Sequence, residues 1–254
     1  MRHHSVEYVI NEIEHCIQDH GIRDFLFWEE VFTLDKTFGI ALCDEIIKRK
    51  LPISWMTTTR ADLVDEEIIK KMKDAGCMLL GLGIESCSQE ILDRAKKNET
   101  VEQIVNAVNL CKKIKLPTMG HFIFGLPGET EATAQNTINS IPKLSLDYMQ
   151  CYCAVPIPKT PLGQMALDKG WVKAKQWSQY DYGGRSVMDI GTVSPDDVDR
   201  YRDSAFRKFY FRPSYLLKQL KVITSIRQLM QAASFAKWMK TKPTKSPSSE
   251  KKGP

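Results

Sequence analysis

Long apolar runs are missing from this sequence: nowhere do the roughly 18 consecutive apolar residues of a membrane-spanning helix occur. Met1-Arg2-His3-His4 leads straight into a polar helical pattern, which does not read as the apolar core of a signal peptide. No G-x-x-x-x-G-K-[ST], no G-x-G-x-x-G and no H-E-x-x-H is present, which excludes two common phosphate cradles and a zinc-peptidase helix. The seven cysteines are odd in number and scattered, against a secreted disulfide framework and for a reducing compartment. Acids are scarce at one end. Positions 200–254 hold 14 lysines and arginines but only Asp203 and Glu250, while the preceding residues hold 22 basic and 29 acidic side chains. An acidic body thus precedes a basic C-terminal piece.

What is present is enough for one large α/β domain with an appendage: 254 residues, 43% of them hydrophobic. Residues 5–21 carry Val6, Val9, Ile10, Ile13 and Ile17 on one helical stripe that closes on Gly21. A strand is expected at 24–28, then a helix over 35–49 capped by Asp35. A strand at 53–59 and a helix from Asp65 to Gly76 follow, then a strand at 78–85. Ser86 and Gln89 have capping-box spacing, as do Thr100 and Gln103 at the head of a helix over 100–115. A strand at 119–125, a helix at 129–141 and a strand from Asp147 complete five βα-type repeats, which implies a parallel sheet covered by helices. The first helix has no strand before it.

After Pro161 the texture changes. Residues 166–199 are expected to be largely irregular, and a helix to run from Pro195 to Pro213. A second helix, 214–239, gathers Leu216, Leu220, Ile223, Ile226, Met230 and Ala233 on one face, with lysines and arginines elsewhere. That pattern is first that of a packing helix with solvated lysines, and second that of a helix lying on an anionic membrane surface. The tail 240–254 is too polar and proline-rich to fold. No nucleic-acid motif accompanies the basic residues, so no nucleic-acid partner is expected.

Ligands of parallel β/α sheets sit at the carboxyl ends of the strands. Those ends carry Glu29-Glu30, Arg60, Glu85-Ser86 and the turn Gly125-Leu126-Pro127-Gly128-Glu129. Such a rim can bind an amine, a sugar diol and a carboxylate together, and amino-acid-bearing nucleosides offer all three. Each residue also has a plain structural reading. Glu29 and Glu30 fit solvated loop charges, Glu85 the positive end of a helix capped by Ser86, and Arg60 a surface pair with Asp62 or Asp65. Cys151 and Cys153 share a strand face and fit small core residues; His121 fits a packed or ligand-lining position.

The segments DFLFWEEVFT, TTTRADLVDEEIIKKMKDAGC, GLGIES and GHFIFGLPGET, in that order and spacing, resemble radical S-adenosylmethionine enzymes, particularly the class with a cobalamin-binding domain upstream. SAFRKFYFRPSYLLKQL resembles the C-terminal extension of that class, including relatives of the anaerobic magnesium-protoporphyrin cyclase. The resemblance implies an α/β fold, a partial (β/α)6 TIM-like barrel lacking its first strand and cluster loop, with a C-terminal helical extension. Residues 1–165 would be the core and 166–239 the extension. It implies S-adenosylmethionine as cofactor, with Glu29 and Glu30 at the methionyl amine, Arg60 at the carboxylate and Glu85 at the ribose. Gly120, Ile123 and the backbone of Gly125 would wall the adenine.

One feature of the class is absent: no C-x3-C-x2-C occurs, and a [4Fe–4S] cluster is held by cysteine thiolates in close array. RHHSVEYVINEIE resembles the stretch just after the cluster loop, so Met1 is expected downstream of it. The cluster and cobalamin are therefore expected in the full-length form, their ligands lying outside this chain, and no catalytic or metal-binding residue is assigned within it. The leading expectation is an enzyme fragment, inactive by itself, whose full form cleaves S-adenosylmethionine reductively to a 5′-deoxyadenosyl radical or supports methyl transfer. The alternative is a cluster-less degenerate barrel serving as a binding or assembly partner. An ordinary barrel enzyme using the carboxylates as acid and base ranks third, for no catalytic pair is visible. A lipophilic small-molecule substrate, an electron donor for the full-length form, cytoplasmic location with peripheral membrane contact, and an aggregation-prone open sheet edge complete the expectations.

Overall fold

The computed structural model describes residues 4–28 and 31–222, together with residues 230 and 234. The elements in chain order are α1 (Val6–His20), β1 (Asp24–Leu26), α2 (Lys36–Lys48), β2 (Ser54–Arg60), α3 (Glu66–Asp74) and β3 (Cys77–Glu85). Next come α4 (Gln89–Arg94), α5 (Val101–Ile114), β4 (Thr118–Phe124), α6 (Glu131–Ser140) and β5 (Tyr148–Cys153). The chain continues through α7 (Pro161–Asp168), α8 (Pro195–Tyr210) and α9 (Pro213–Val222). The strands form one sheet in the order β1-β2-β3-β4-β5, with β1 through β4 pairing in parallel. No helix among the described residues is long and apolar enough to cross a membrane.

Two compact units share this chain: Met1–Ile123 with Lys143–Gln150, and Phe124–Pro142 with Cys151–Pro254. In the first, local chemistry sets each element. Asp35 accepts the Phe38 amide at 3.0 Å and Asp65 the Ile68 amide at 3.1 Å, so both helices begin where a carboxylate satisfies an orphan donor. Thr100 and Gln103 complete their capping box. Gly21, at φ 66°, closes α1 in the left-handed conformation that a side chain disfavours. The helix without a preceding strand is held to α2 by Arg49, which donates to Glu45, Glu7 and Glu14. Ile10 and Ile13 bury its inner face.

Two expectations change here. The helix after β3 begins at Gln89, not at Ser86. Ser86 Oγ instead accepts the Ser88 amide, and the Gln89 amide side chain ties the Val101 amide and the Glu99 carbonyl across to α5. The strand expected over 24–28 stops at Leu26, with β2 as its one partner among the described residues, and Trp28 beyond it is 90% exposed.

In the second unit, α7 forms within the stretch where the sequence turns irregular. Thr160 caps it, accepting the Gly163 amide at 3.0 Å, and Pro161 takes the first helical turn, where its missing N–H costs nothing. Ser194 and Asp197 make a capping box for α8. Arg202 of α8 is buried; it donates to Cys153 Sγ at 3.1 Å and to the Gly184 carbonyl, while Asp199 accepts the Ser186 amide at 3.0 Å. This polar knot fixes residues 183–186 on α8. Cys151 and Cys153 are buried core residues. The helix expected over 214–239 is present as α9, and most of its C-terminal part lies outside the described residues, as does the tail 240–254.

Candidate functional site

Side chains of a strand alternate between two faces, and in β2, β3 and β4 the two faces differ sharply. One is closed: Trp55, Leu80, Leu82, Ile84 and Phe122 are fully buried. Burying each large apolar side chain is worth roughly 1.5–3 kcal/mol, and this face carries the fold. The other is half-buried and chemically mixed, with Thr58 and Arg60 from β2, Gly81, Gly83 and Glu85 from β3, and His121 and Ile123 from β4.

Glycines make room on this second face for neighbouring side chains. A Cβ on Gly81 would stand 2.8 Å from His121 Nε2 and from Thr58 Cγ2, and one on Gly83 would stand 3.0 Å from both Glu85 Oε1 and Lys97 Nζ. The side chains of His121, Thr58, Glu85 and Lys97 thus pack directly against the glycine backbone of β3. Glu85 ends the strand at φ 62°, a left-handed conformation rare for a side chain of this size.

Around the ends of β2 and β3 five charged groups interlock. Arg60 grips Asp62 with Nε and Nη2, each at 2.9 Å, and its Nη2 also reaches the Lys97 carbonyl at 2.8 Å and Glu99 Oε1 at 3.3 Å. Lys97 Nζ donates to Glu85 Oε1 at 3.1 Å. Burial pushes the Glu99 carboxyl up to about 7, against the pull of Lys97 and Arg60. Burial also works against ionisation of Asp62, but hydrogen bonds with Arg60 and Glu99 more than offset it and hold that carboxyl below its usual value. His121 is lowered by burial, then by the Lys97 ammonium.

The turn after β4 is a separate construction in the second unit. Gly125 and Gly128 adopt φ 85° and 84°. Glu129 folds back so that Oε2 accepts the Gly125 amide at 2.6 Å, while Thr192 Oγ1 donates to its carbonyl at 2.5 Å. The carboxylate is fully buried and pushed up to about 7, chiefly by burial.

Of the residues that the sequence points to, Arg60, Glu85 and Ile123 lie on the half-buried face, although Arg60 takes the plain role of partner to Asp62. Gly120 lies on the closed face, its missing Cβ replaced by contact with Leu146, Phe122 and Ile84. Gly125 belongs to the turn. Glu29 and Glu30 lie outside the described residues. The reading of Glu85 as a helix-dipole partner falls with Ser86, because α4 starts three residues later than Ser86. Sequence reasoning named Asp62 as a partner of Arg60 but missed Lys97 and Glu99; the GLG alternation in β3 is the signal that could have drawn attention to this strand face.

The chemistry of this face, a carboxylate at Glu85 and an apolar Ile123 beside glycine backbone, is of the kind a nucleoside uses. A cluster does not fit. No three Cys, His, Asp or Glu side chains gather as a metal set among the described residues. The thiols of Cys43, Cys77, Cys87, Cys111 and Cys153 are each pushed up to about 12, first by burial, so they are poor sources of thiolate.

Residues 1–141 match the model of the radical SAM superfamily. An uncharacterised methyltransferase of Pyrococcus horikoshii is 34% identical over 219 residues, 86% of this chain and 48% of its own length. The anaerobic magnesium-protoporphyrin IX monomethyl ester cyclase of Rubrivivax gelatinosus is 30% identical over 215 residues, 82% of this chain and 37% of its own. The chain therefore spans half or less of these relatives. Among solved structures, the radical S-adenosylmethionine methyltransferase TsrM of Kitasatospora setae, with cobalamin and a [4Fe–4S] cluster bound, superimposes with a TM-score of 0.60 at 24% identity, over 67% of this chain and 33% of that one. That likeness shows the fold, a partial barrel of parallel β/α units. The chain belongs to the radical S-adenosylmethionine superfamily.

Proposed function

We propose that this chain is the nucleoside-binding portion of a cobalamin-associated radical S-adenosylmethionine enzyme, and that it binds S-adenosylmethionine without building the cluster. The observation that carries the reading is the half-buried face of β2–β4, where glycine backbone, Glu85 and Ile123 meet at the strand ends. Glu85 would accept the ribose hydroxyls and Ile123 would line the adenine. Reductive cleavage of S-adenosylmethionine, or methyl transfer, belongs to an assembly in which a cysteine-bearing segment and an electron donor are present. Its substrate is a lipophilic small molecule, a class supported by a relative named for a magnesium-protoporphyrin ester.

The test is anaerobic reconstitution of this chain with ferrous iron and sulfide. The expected outcome is no [4Fe–4S] absorbance and no 5′-deoxyadenosine on adding dithionite and S-adenosylmethionine. A stoichiometric cluster with product formation overturns the reading.

A second reading, a cluster-less binding partner, is favoured by the same buried thiols. It predicts nucleoside binding undiminished when no cysteine-bearing segment is supplied. The protein is proposed to be cytoplasmic, with peripheral contact to anionic membranes through residues 214–239, where Leu216 and Leu217 are exposed on α9. Equal recovery with anionic and neutral liposomes would count against that contact.

A further inference from the structure

Acids vanish from the chain after Asp203: positions 204–249 hold ten lysines and arginines and not one aspartate or glutamate. The run begins in the second half of α8, where the charge is gathered on one side. Arg200, Ser204, Arg207 and Lys208 fall at helical spacing on the exposed face of α8, away from the buried Val198, Tyr201, Ala205 and Phe209. Together with Asp203 they line an open hollow of about 450 Å³.

The cations in this hollow keep donors to spare. Arg200 gives Nη2 to Asp197 at 2.8 Å and lies over the Tyr201 ring. Lys208 Nζ reaches Asn139 Oδ1, a neutral acceptor. Arg207 has no ion-pair partner among the described residues. Three cations with a hydroxyl between them, against the single carboxylate of Asp203, suit a phosphate group, which the arginine fork matches in shape as well as charge.

The next helix points to the source of that phosphate. α9 exposes Leu216 and Leu217, 44% and 61% accessible. Its place on α8 is fixed by an aromatic corner: Arg212 lies 3.7 Å over the Phe209 ring, and Tyr215 packs on Phe209 and Tyr210 at 5.6 and 5.0 Å. A free phosphate or a nucleic acid would use the cations and leave the leucines in water. A lipid leaflet uses both, with tyrosines at the boundary between them.

We infer that the exposed face of α8 is a binding site for the phosphate headgroups of an anionic bilayer, with Leu216 and Leu217 of α9 entering the interface beside it. This rests on the membrane contact proposed above and deepens it, by giving the charged part of that contact to Arg200, Arg207 and Lys208.

The experiment is sedimentation of the full chain with phosphatidylglycerol vesicles and, in parallel, with phosphatidylcholine vesicles. The unaltered chain should prefer the first. A basic residue near such a surface is worth about fivefold in affinity, so Arg207→Gln should weaken binding to phosphatidylglycerol about fivefold. Ser204→Glu, which sets an anion in the middle of the hollow, should weaken it at least as much. Arg207→Lys should keep most of the affinity, which guards against a folding defect. Lys113→Gln, the same loss of charge on α5, should leave it unchanged. Equal weakening by Lys113→Gln would mean that only net charge is read, and the site would fall. Unchanged binding by both Arg207→Gln and Ser204→Glu would also overturn it, while leaving a membrane contact through 214–239 in place. Release of the chain by inorganic phosphate or a short oligonucleotide, at the phosphate concentration of the lipid, would give the hollow to a soluble ligand instead. Failure of the unaltered chain to prefer phosphatidylglycerol would remove the anionic-membrane reading itself, and this inference with it.

Discussion

The dipeptide Glu-Thr occurs twice ahead of a helix, as Glu99-Thr100 and as Glu129-Thr130, and the two copies dispose of the same buried charge in opposite ways. Both threonines cap a helix in a complete capping box, both glutamates are buried, and both carboxyls are pushed up to about 7. At the first, Arg60 and Lys97 stand 3.3 and 3.9 Å from the carboxylate. At the second, Oε2 takes the Gly125 amide and Oε1 has no partner among the described residues. A helix N-terminus favours an anion by roughly 0.3–1 kcal/mol. A shift from 4.5 to about 7 opposes it with about 3 kcal/mol, so burial wins at both. The difference teaches which strand end is open to chemistry. Glu129 is a tie for a glycine turn, held by one backbone amide; the end at Glu99 gathers two cations, with Lys97 packed over the glycine backbone of β3.

The largest effect should come from making the first copy resemble the second. Arg60→Met leaves Glu99 beside Lys97 alone, and breaking a buried pair from one side costs about 4 kcal/mol. Urea unfolding should show that loss, with Glu99→Gln in the same background restoring most of it. A loss under 1 kcal/mol would mean that Arg60 is not structural.

Next is pH. Because the Glu129 carboxyl sits above its ordinary 4.5, the folded protein holds more protons than the unfolded one between pH 4.5 and 7. Its stabilising contribution is therefore lost as pH rises through that window, by about 3 kcal/mol in total. Glu129→Gln should remove about half of the slope in unfolding curves taken across the window, leaving the equal share due to Glu99. An unchanged slope would show Glu129 ionised in the fold.

Smaller again is the glycine contrast. Gly125→Ala forces a side chain into a left-handed position 3.1 Å from Val198 and should cost about 2 kcal/mol. Gly83→Ala meets only the flexible ends of Glu85 and Lys97 and should cost less than about 1 kcal/mol. Thermal melts that rank them the other way would contradict the assignment of tie and open face. Smallest, Thr100→Ala and Thr130→Ala should each cost about 1 kcal/mol by losing a cap. Clearly unequal losses would make the likeness of the two copies superficial.

Much of the fold was legible because its signals are local. Asp35, Asp65 and Thr100 each act within three residues of themselves, and Gly21 needs only its own φ. Ser86 misled because two serines precede Gln89 and spacing cannot tell which one turns the chain. Thr160-Pro161 was a usable start signal for α7, obscured by the change in texture around it. Of the site, Arg60, Glu85 and Ile123 could be seen because strand ends are predictable. Lys97 and Glu99 could not: in KKNET they read as a solvated loop, and only the return of that loop over Gly83 and Arg60, 14 and 39 residues earlier for Lys97 and Glu99 respectively, buries them. Long-range folding back leaves no periodicity to detect.

The left-handed backbone at Glu85 has a consequence for variation at this position. Relieving that conformation with glycine is worth about 1 kcal/mol or more, whereas a partly exposed ion pair such as Glu85–Lys97 commonly returns less. Judged by stability alone, glycine is the better residue there. A library screened only for heat resistance should therefore drift to Glu85→Gly, and the same library screened for nucleoside binding should refuse it, so that the two selections part company at a single codon.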